Sequence, residues 1–260
     1  MPSANGLLSR VVVVTGGGRG IGRAIALAFA QPGATIVVAA RTAGQLEETA
    51  SAVRRRGATA IVLPLDVTDG QRVSDAVARV NAQVDRVDVL VNNAGIGGGE
   101  PVQQSDEAAW RRIIETNVIG AYLMTRAILP VMRDGGRIIN MSSVLGRFGV
   151  GGYTAYCASK HAIIGFTRAL ALELAPREIA VNAICPGWVE TDMAVEGMTL
   201  GAQAMGTSYE DFRRRALRAV PIKRIIQPDE VARVAMFLAA PESSAITGQT
   251  YNVCGGQVMN

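Results

Sequence analysis

The start of the chain combines a β-branched run, a glycine-rich turn and an alanine-rich segment, and this combination constrains the fold most. The run Arg10-Val11-Val12-Val13-Val14 is typical of a strand buried on both faces. It leads directly into Thr15-Gly16-Gly17-Gly18-Arg19-Gly20-Ile21-Gly22, after which residues 23–31 have a helical pattern. Glycine lets the backbone approach a pyrophosphate, and the free N–H groups of a helix start attract its charge. The turn therefore predicts a dinucleotide site, with a flexible loop as the alternative.

The rest of the sequence alternates between strand-like and helix-like segments. Further strands are predicted at 34–40, 58–64, 87–91, 137–141, 179–184 and 250–253. Helices are predicted at 42–57, 70–84, 107–132, 156–173, 209–219 and 227–239. Because this spacing is that of βαβ units, we expect an α/β fold: a doubly wound, Rossmann-type parallel sheet of seven strands with helices on both faces. No repeat or linker divides the sequence, so we expect one domain over residues 1–260.

The composition is that of a globular protein, with 49% hydrophobic and 18% charged residues and a net charge of +4. Two basic runs, Arg54-Arg55-Arg56 and Arg213-Arg214-Arg215, supply much of the positive charge. Neither is interleaved with aromatic residues, so we do not expect a nucleic-acid partner. The positive balance could still attract an anionic cofactor or substrate.

The cysteines and the N-terminus indicate the compartment. Cys157, Cys185 and Cys254 are far apart and in no C-x-x-C spacing, which argues against a disulfide framework and against a metal site. Residues 1–10 lack the apolar region of a signal peptide, and no apolar run is long enough to span a membrane. We therefore expect a cytoplasmic protein without a membrane partner.

The end of the second predicted strand indicates the type of cofactor. In a dinucleotide-binding fold this point meets the adenosine ribose, where an acidic residue binds the 2′-hydroxyl of NAD. The sequence here is Ala39-Ala40-Arg41-Thr42, without a carboxylate. A guanidinium suits a 2′-phosphate, and Arg19 could reach the same group. We therefore expect NADP(H) to be preferred, with NAD(H) possible if both arginines are merely exposed loop residues.

Tyr156 and Lys160 lie four residues apart in a predicted helix, so their side chains share one face. A tyrosine with its usual pKa of about 10 is a poor acid or base at neutral pH, but a fixed cation beside it lowers that pKa. A tyrosine with a lowered pKa can exchange a proton with a carbonyl or alcohol oxygen; the alternative is that the two residues share a helix face without any chemical role. Asn117 interrupts the apolar pattern of the helix predicted at 107–132, where a polar side chain needs a partner or a task.

The segment after Pro186-Gly187 has no clear period. Residues 190–206 are rich in Gly, Met and Thr, and a polar helix is predicted after them. An irregular insertion above the carboxyl edge of a sheet is where a lid is expected. We therefore predict a mobile substrate lid at about 188–219, with a plain disordered loop as the alternative.

Together these motifs resemble those of the short-chain dehydrogenases/reductases of the single-domain type, over the whole chain. The glycine-rich turn matches the family's cofactor loop, and Asn92-Asn93-Ala94-Gly95 matches the motif that braces the sheet beside the cofactor. Asp66-Val67 matches the pair near the adenine ring, and the segment 186–191 the one that holds the nicotinamide carboxamide. The resemblance implies these cofactor-binding residues: Gly16, Gly18, Arg19, Gly20, Ile21, Gly22, Arg41, Asp66, Val67, Asn93, Ala94, Gly95, Tyr156, Lys160, Pro186, Gly187, Val189 and Thr191.

The resemblance also implies four catalytic residues, Asn117, Ser143, Tyr156 and Lys160. Tyr156 would be the general acid in reduction and the general base in oxidation. Lys160 would lower its pKa and hold the ribose hydroxyls, and Ser143 would donate a hydrogen bond to the substrate oxygen. Asn117 would anchor a water that passes protons towards Lys160. The family's spacing to the tyrosine selects Ser143, with Ser142 as the alternative.

Other residues give finer indications. Tyr153 has no lysine four residues on, so we assign it only to the substrate pocket. His161, the only histidine, would face away from Lys160 and have a packing or surface role. Gly97-Gly98-Gly99 and Asn252-Val253-Cys254-Gly255-Gly256 resemble ketoreductases of aromatic polyketide synthesis. Reductases of 3-oxoacyl thioesters and dehydrogenases of cyclic secondary alcohols remain open.

We therefore predict an NADP(H)-dependent oxidoreductase that interconverts a ketone and a secondary alcohol. The alternatives are an NAD-dependent dehydrogenase of a cyclic secondary alcohol or 3-hydroxyacyl thioester and, more distantly, a non-catalytic dinucleotide sensor. The resemblance also implies a homotetramer that pairs through the helices predicted at 107–132 and 155–173.

Overall fold

The computed structural model describes residues 10–259, and its strands form one parallel sheet. The strands are β1 (Val11–Thr15), β2 (Thr35–Ala40), β3 (Thr59–Pro64), β4 (Val87–Asn92), β5 (Met132–Met141), β6 (Ala180–Pro186) and β7 (Thr250–Val253). The helices are α1 (Gly20–Phe29), α2 (Ala43–Arg55), α3 (Gly70–Asn81), α4 (Glu107–Ile114), α5 (Gly120–Ile128), α6 (Thr154–Leu174), α7 (Asp192–Ala204), α8 (Tyr209–Arg218) and α9 (Pro228–Ala239). The strand order is β3-β2-β1-β4-β5-β6-β7, which confirms the predicted seven-stranded Rossmann-type sheet.

Both faces of the sheet are covered by helices, as the β-branched strands predict. Successive side chains of a strand point to opposite faces. Val12 and Val14 of β1 pack into one apolar cluster with residues of α1, α2 and α9. Val13 packs into a second cluster with residues of α3, α5 and α6. The order of the strands reverses between β1 and β4, and ligands of such sheets bind at this point, outside the carboxyl ends of the strands.

The helix predicted at 107–132 ends earlier than expected. Its last helical segment, α5, ends at Ile128, and a single π-helical turn separates α5 from α4. Leu129 is still helical and donates to the Thr125 carbonyl, but Pro130 has no backbone N–H with which to continue the helix. The strand β5 then begins at Met132, the last residue of the predicted helix, and it contains Gly135 and Gly136. Both glycines lie where the pairing of β5 with β4 shifts register.

The segment predicted as irregular is helical. Thr191 caps α7 by accepting from a backbone N–H of its first turn, and Ser208 caps α8 in the same way. Gly201 of α7 lies so close to Phe212 of α8 that a Cβ would overlap the ring. This packing outweighs the low helix propensity of glycine. The expectation of irregular structure at 190–206 is therefore wrong.

Two predictions concern membrane and export signals. No helix in the described range 10–259 is long and apolar enough to cross a bilayer. The predicted lack of a signal peptide concerns the N-terminal residues 1–9, which lie outside the described residues.

Candidate active site

The glycine-rich turn lies at the carboxyl end of β1 and leads into α1, which begins at Gly20. Arg19 precedes the helix and forms no side-chain cap, so the first N–H groups of α1 are not taken by a capping side chain. Gly16 and Gly20 have φ angles of 65° and 53°, which favour glycine. A Cβ on Gly22 would overlap the carbonyl oxygen of Gly16. The turn therefore fits a pyrophosphate, which needs close backbone approach and free N–H groups.

Asn93 and Ala94 hold the glycine-rich turn against the end of β4. Nδ2 of Asn93 donates to the carbonyl oxygens of Thr15, at 3.0 Å, and Gly16, at 3.3 Å. The backbone N–H groups of Asn93 and Ala94 donate to Oγ1 of Thr15 at 3.0 and 2.9 Å. These four bonds fix the turn at the switch point of the sheet.

The helix α6 presents Tyr156 and Lys160 at the carboxyl end of β5. Nζ of Lys160 lies 5.5 Å from the ring centroid of Tyr156 and donates to the backbone oxygen of Met141 at 3.0 Å. Ser143 follows β5, and its Oγ acts on the Tyr156 hydroxyl in the direction that lowers the pKa of that tyrosine. The same Oγ accepts from the backbone N–H of Leu145 at 3.1 Å. The structure thus brings Ser143, Tyr156 and Lys160 together.

Ser142 and His161 make other contacts. Oγ of Ser142 is buried and donates to the backbone oxygen of Lys160 at 2.8 Å, which ties the end of β5 to α6. His161 is exposed, and its Nδ1 lies 2.9 Å from the backbone oxygen of Cys157. Ser143 is therefore the serine that meets Tyr156, and the histidine lies on the surface.

Asn117 lies in the π-helical turn between α4 and α5 and is buried. Its Oδ1 accepts from the N–H of Ile96 at 2.8 Å, and its Nδ2 donates to the Ile96 carbonyl and to Oγ of Ser159, both at 3.0 Å. A Cβ on Gly95 would lie 3.2 Å from Oδ1 of Asn117 and 3.5 Å from Nζ of Lys160. Asn117 therefore holds the chain beside Lys160, and Ser159 is a partner that the sequence did not indicate. A water relay through Asn117 stays a prediction.

Burial has the largest effect on the pKa values of Tyr156 and Lys160. It raises the pKa of Tyr156 to about 12, although Ser143 acts in the opposite direction. It lowers the pKa of Lys160 to about 8, against the charge of Cys185. Because burial is the largest cause, the pKa of Tyr156 lies above its ordinary value, so the expectation of a lowered pKa is wrong. Tyr156 is held protonated at neutral pH, which is the state of a proton donor.

Two arginines lie where the adenosine end of a dinucleotide is expected. Arg41 follows β2 and is exposed. Burial raises the pKa of Asp66, but hydrogen bonds from Thr68 and the charge of Arg41 outweigh this, so the pKa of Asp66 lies below its ordinary value. Nη1 of Arg19 forms a salt bridge at 2.8 Å with Oδ2 of Asp192, the first residue of α7. No local sequence pattern indicated this contact between the glycine-rich turn and the predicted lid.

The segment after β6 packs against the glycine-rich turn. Pro186 ends β6, and the N–H of Gly187 donates to the backbone of β7 at 3.1 Å. Val189 is buried. Thr191 caps α7, and a Cβ on Gly20 would lie 3.2 Å from its methyl group. Thr191 therefore lies next to the turn, and Pro186, Gly187 and Val189 line the same cavity as Ile21. That this segment holds the nicotinamide carboxamide stays a prediction.

Three predicted cofactor residues lie at other points around the turn. Gly18 lies against Gln45 of α2, and Val67 is buried against Gly120 of α5. Ile21 lines the cavity in front of Tyr156. Val67 therefore has a packing contact with α5 in addition to its predicted place near the adenine ring.

A cavity of about 430 Å³ extends from the catalytic group to α7 and α8. Ser143, Tyr156 and Lys160 line one side of it, and Tyr153 also lines it, as expected. Large apolar side chains form much of the remaining wall: Leu145, Phe148, Val150, Trp188, Met193, Leu200, Met205 and Phe212. The sequence located the segment 188–219 but not these individual residues, because no spacing marks which of them face inward.

Comparison with known sequences identifies the family. The profile of the family described as enoyl-(acyl carrier protein) reductase matches residues 16–257. The protein named as ketoacyl reductase of the monensin polyketide synthase, from Streptomyces virginiae, is 41% identical over 252 residues, which cover 95% of this chain and 97% of that protein. A 3-oxoacyl-[acyl-carrier-protein] reductase from Vibrio harveyi is 37% identical over 255 residues, with 97% and 99% covered.

Solved structures agree. A variant of actinorhodin polyketide ketoreductase with NADPH is 38% identical, with a TM-score of 0.91 and 99% of each chain covered. An NAD⁺-bound xylitol dehydrogenase is 33% identical, with a TM-score of 0.92 and 96% and 99% covered. The chain belongs to the short-chain dehydrogenase/reductase family. It is an oxidoreductase that interconverts a ketone and a secondary alcohol with a nicotinamide cofactor, which confirms the predicted class.

Proposed function

We propose that the protein works as an NADPH-dependent ketone reductase. The observation that carries this proposal is the grouping of Ser143 and Tyr156 beside Lys160, all lining one apolar cavity. Reduction of a carbonyl builds negative charge on its oxygen, and this charge is stabilised by fixed hydrogen-bond donors. Two hydroxyl groups that face the same cavity can donate to that oxygen from one side.

Each residue has a role that follows from its contacts. The cofactor supplies the hydride when it is bound. Tyr156 donates its proton to the substrate oxygen, because burial keeps it protonated at neutral pH. Ser143 donates the second hydrogen bond. Lys160 supplies a cation within 5.5 Å of the Tyr156 ring centroid, which favours the tyrosinate left after proton transfer. Asn117 is a positioning residue that fixes the chain beside Lys160.

The preference for NADPH rests on Arg41 and Arg19. No carboxylate stands at the end of β2, and both guanidinium groups are exposed beside the glycine-rich turn. A guanidinium binds phosphate oxygens with paired, charge-assisted hydrogen bonds. The ketoreductase bound to NADPH supports this choice, whereas the NAD⁺-bound xylitol dehydrogenase keeps NAD(H) as the alternative.

The apolar cavity favours a carbonyl substrate with a large apolar part, over which α7 and α8 act as the lid. Trp188, Met193 and Phe212 come from this segment and would contact the substrate directly. A 3-oxoacyl thioester is the second candidate, because the curated relatives are named as ketoacyl and 3-oxoacyl reductases. In both cases the reacting oxygen would meet Ser143 and Tyr156.

A panel of substrates with both cofactors tests the proposal. Simple ketones, bicyclic ketones and 3-oxoacyl thioesters are offered with NADPH or NADH, and cyclic alcohols with NADP⁺ or NAD⁺, while the absorbance of the reduced nicotinamide is followed. We expect turnover of at least one carbonyl with a higher kcat/KM for NADPH. Equal or better use of NADH would overturn the cofactor preference. Cofactor binding without turnover of any substrate would favour a non-catalytic sensor.

We also propose a cytoplasmic homotetramer that pairs through α4–α5 and α6. Trp110, Tyr122 and Leu172 support this pairing, because these large apolar residues of the three helices are 36%, 45% and 81% exposed. Sedimentation equilibrium should give a tetramer, and a stable monomer would contradict the proposal. The cysteines are free and buried, which fits a reducing compartment. A fluorescent fusion found outside the cytoplasm would refute the location.

A further inference from the structure

Another cavity, which is lined by charged residues, lies at the opposite edge of the sheet from Ser143, Tyr156 and Lys160. Its volume is about 770 Å³, and it is lined by residues at the amino ends of β1, β4, β5 and β6. Four arginines line it: Arg10, Arg86, Arg133 and Arg137. None of them belongs to the glycine-rich turn or to the catalytic group, so the proposed reaction leaves this cavity without a role.

Asp88 neutralises only part of this charge. Its carboxylate is 3% exposed, and Oδ1 forms salt bridges with Arg86 at 3.2 Å and with Arg133 at 3.3 Å. Its Oδ2 accepts from the backbone N–H of Val11 at 2.8 Å. Both oxygens are thus engaged, and one buried carboxylate serves two guanidinium groups.

Among residues 10–259, Arg10 and Arg137 have no acidic partner in direct contact. Within residues 10–259 neither forms a salt bridge; Nη1 of Arg10 donates to the Ala239 carbonyl at 2.5 Å, and Nη1 of Arg137 donates to the carbonyls of Gly135 and Gly136. Arg137 is 5% exposed, and its buried Nε has no hydrogen-bond partner in the described part of the chain. Buried charges are ordinarily paired.

The cations also act on one another. Burial lowers the pKa of Arg137, and the charges of Arg10 and Arg133 lower it further. Burial likewise lowers the pKa of Arg10, against the charge of Asp88. Two other carboxylates lie nearby: Glu178 lines the cavity, and the charge of Glu242 acts on Arg10. Neither carboxylate is among the charges that shift the pKa of Arg137. The two charges that do so belong to Arg10 and Arg133.

We propose that this cavity binds a small phosphate-type anion, with Arg10, Arg133 and Arg137 as its charged contacts. Guanidinium groups bind phosphate oxygens through paired, charge-assisted hydrogen bonds. Such an anion supplies the negative charge that Arg137 lacks, and the cavity leaves room for a phosphorylated small molecule as well as for free phosphate. The anion therefore stabilises the amino edge of the sheet, at the far end of the strand that leads to Ser143.

Calorimetric titration of the full chain tests the proposal, with the cofactor site filled by one equivalent of NADP⁺ and the ionic strength held constant with chloride. The probes are inorganic phosphate and glycerol 3-phosphate, which separate free phosphate from a phosphomonoester. We expect one saturable site per chain for at least one probe. Heat that never saturates, or no heat with either probe, would overturn the proposal.

Paired variants locate the site. Arg10→Gln/Arg133→Gln should weaken binding at least tenfold, because each lost charge-assisted hydrogen bond contributes about one order of magnitude or more. Arg55→Gln/Arg79→Gln removes two exposed arginines outside the cavity and should leave the affinity within about twofold. An equal loss of affinity in both double variants, or unchanged affinity in Arg10→Gln/Arg133→Gln, would refute the site.

A second readout covers the case in which the first pair does not fold, as judged by circular dichroism. Arg133→Gln alone removes a half-exposed arginine of the proposed site, and phosphate should raise the melting temperature of the wild type more than that of this variant. An equal rise would contradict the proposal. Neither readout uses turnover, so the outcome is independent of the proposed reductase function.

Discussion

Replacement of Lys160 by methionine tests the electrostatics of the catalytic pair through the stability of the fold. Lys160 is 5% exposed, and burial lowers its pKa to about 8 from an ordinary value of 10.5. Below the lower value, both the folded and the unfolded chain hold the proton, and the full cost of burying the cation is present. Between the two values the unfolded chain still holds a proton that the folded protein has released. The free energy of unfolding therefore rises with pH in this range.

The size of this rise follows from the two pKa values. They differ by about 2.5, which corresponds to about 3 kcal/mol at roughly 1.4 kcal/mol for each tenfold change. About 2 kcal/mol of it falls between pH 7.5 and 10, because each titration spreads around its midpoint. Tyr156 acts in the opposite direction but above this range: its pKa rises from 10.0 to about 12, so it lowers stability as the pH passes 10.

Urea unfolding at a fixed protein concentration measures the effect at several pH values between about 7.5 and 10. The wild type should gain about 2 kcal/mol relative to Lys160→Met across this range, since methionine is unbranched, apolar and cannot titrate. Lys223→Met is the matched control, because Lys223 is exposed, and it should keep the wild-type rise. Parallel curves for the wild type and Lys160→Met would refute the reasoning.

Three further predictions concern the cofactor site and the lid. Arg41→Asp should lower kcat/KM for NADPH about tenfold or more and improve the use of NADH. The change replaces a hydrogen-bond donor to the 2′-phosphate by an acceptor for the 2′-hydroxyl. An unchanged ratio of kcat/KM for the two cofactors would show that Arg41 does not set the preference. Asp192→Asn frees Arg19 from an exposed salt bridge, and should lower KM for NADPH about twofold; an equal change with NADH would contradict a phosphate-specific effect. Gly201→Ala places a methyl group against Phe212, and should lower the melting temperature by several degrees and raise KM for the carbonyl substrate; wild-type values for both would show that α7 and α8 are not tightly packed.

The sheet and the glycine-rich turn could be predicted from the sequence because local signals determine them. Valine runs mark strands buried on both faces, and the spacing of Gly16, Gly20 and Gly22 reflects a backbone geometry that side chains would block. The proximity of Tyr156 and Lys160 followed from helical periodicity alone. Their protonation did not, because desolvation depends on burial that only the folded protein defines.

The lid and the contacts around it could not be predicted in the same way. Gly201 reads as a helix breaker in isolation, but in the folded protein its missing side chain leaves room for the ring of Phe212. The salt bridge of Arg19 with Asp192 joins residues 173 positions apart and has no local signature. The early end of α5 could have been predicted from the sequence, because Pro130 has no backbone N–H with which to continue the helix.

The most direct test of the central claim is the rate of NADPH-dependent ketone reduction by Tyr156→Phe, measured together with NADPH affinity. The variant keeps the ring and removes only the hydroxyl that would donate the proton. We predict that kcat falls about 10²-fold or more while NADPH still binds, and that Tyr153→Phe, at the other tyrosine lining the cavity, retains most of the activity. Near-wild-type kcat in Tyr156→Phe would contradict the claim that Tyr156 is the proton donor.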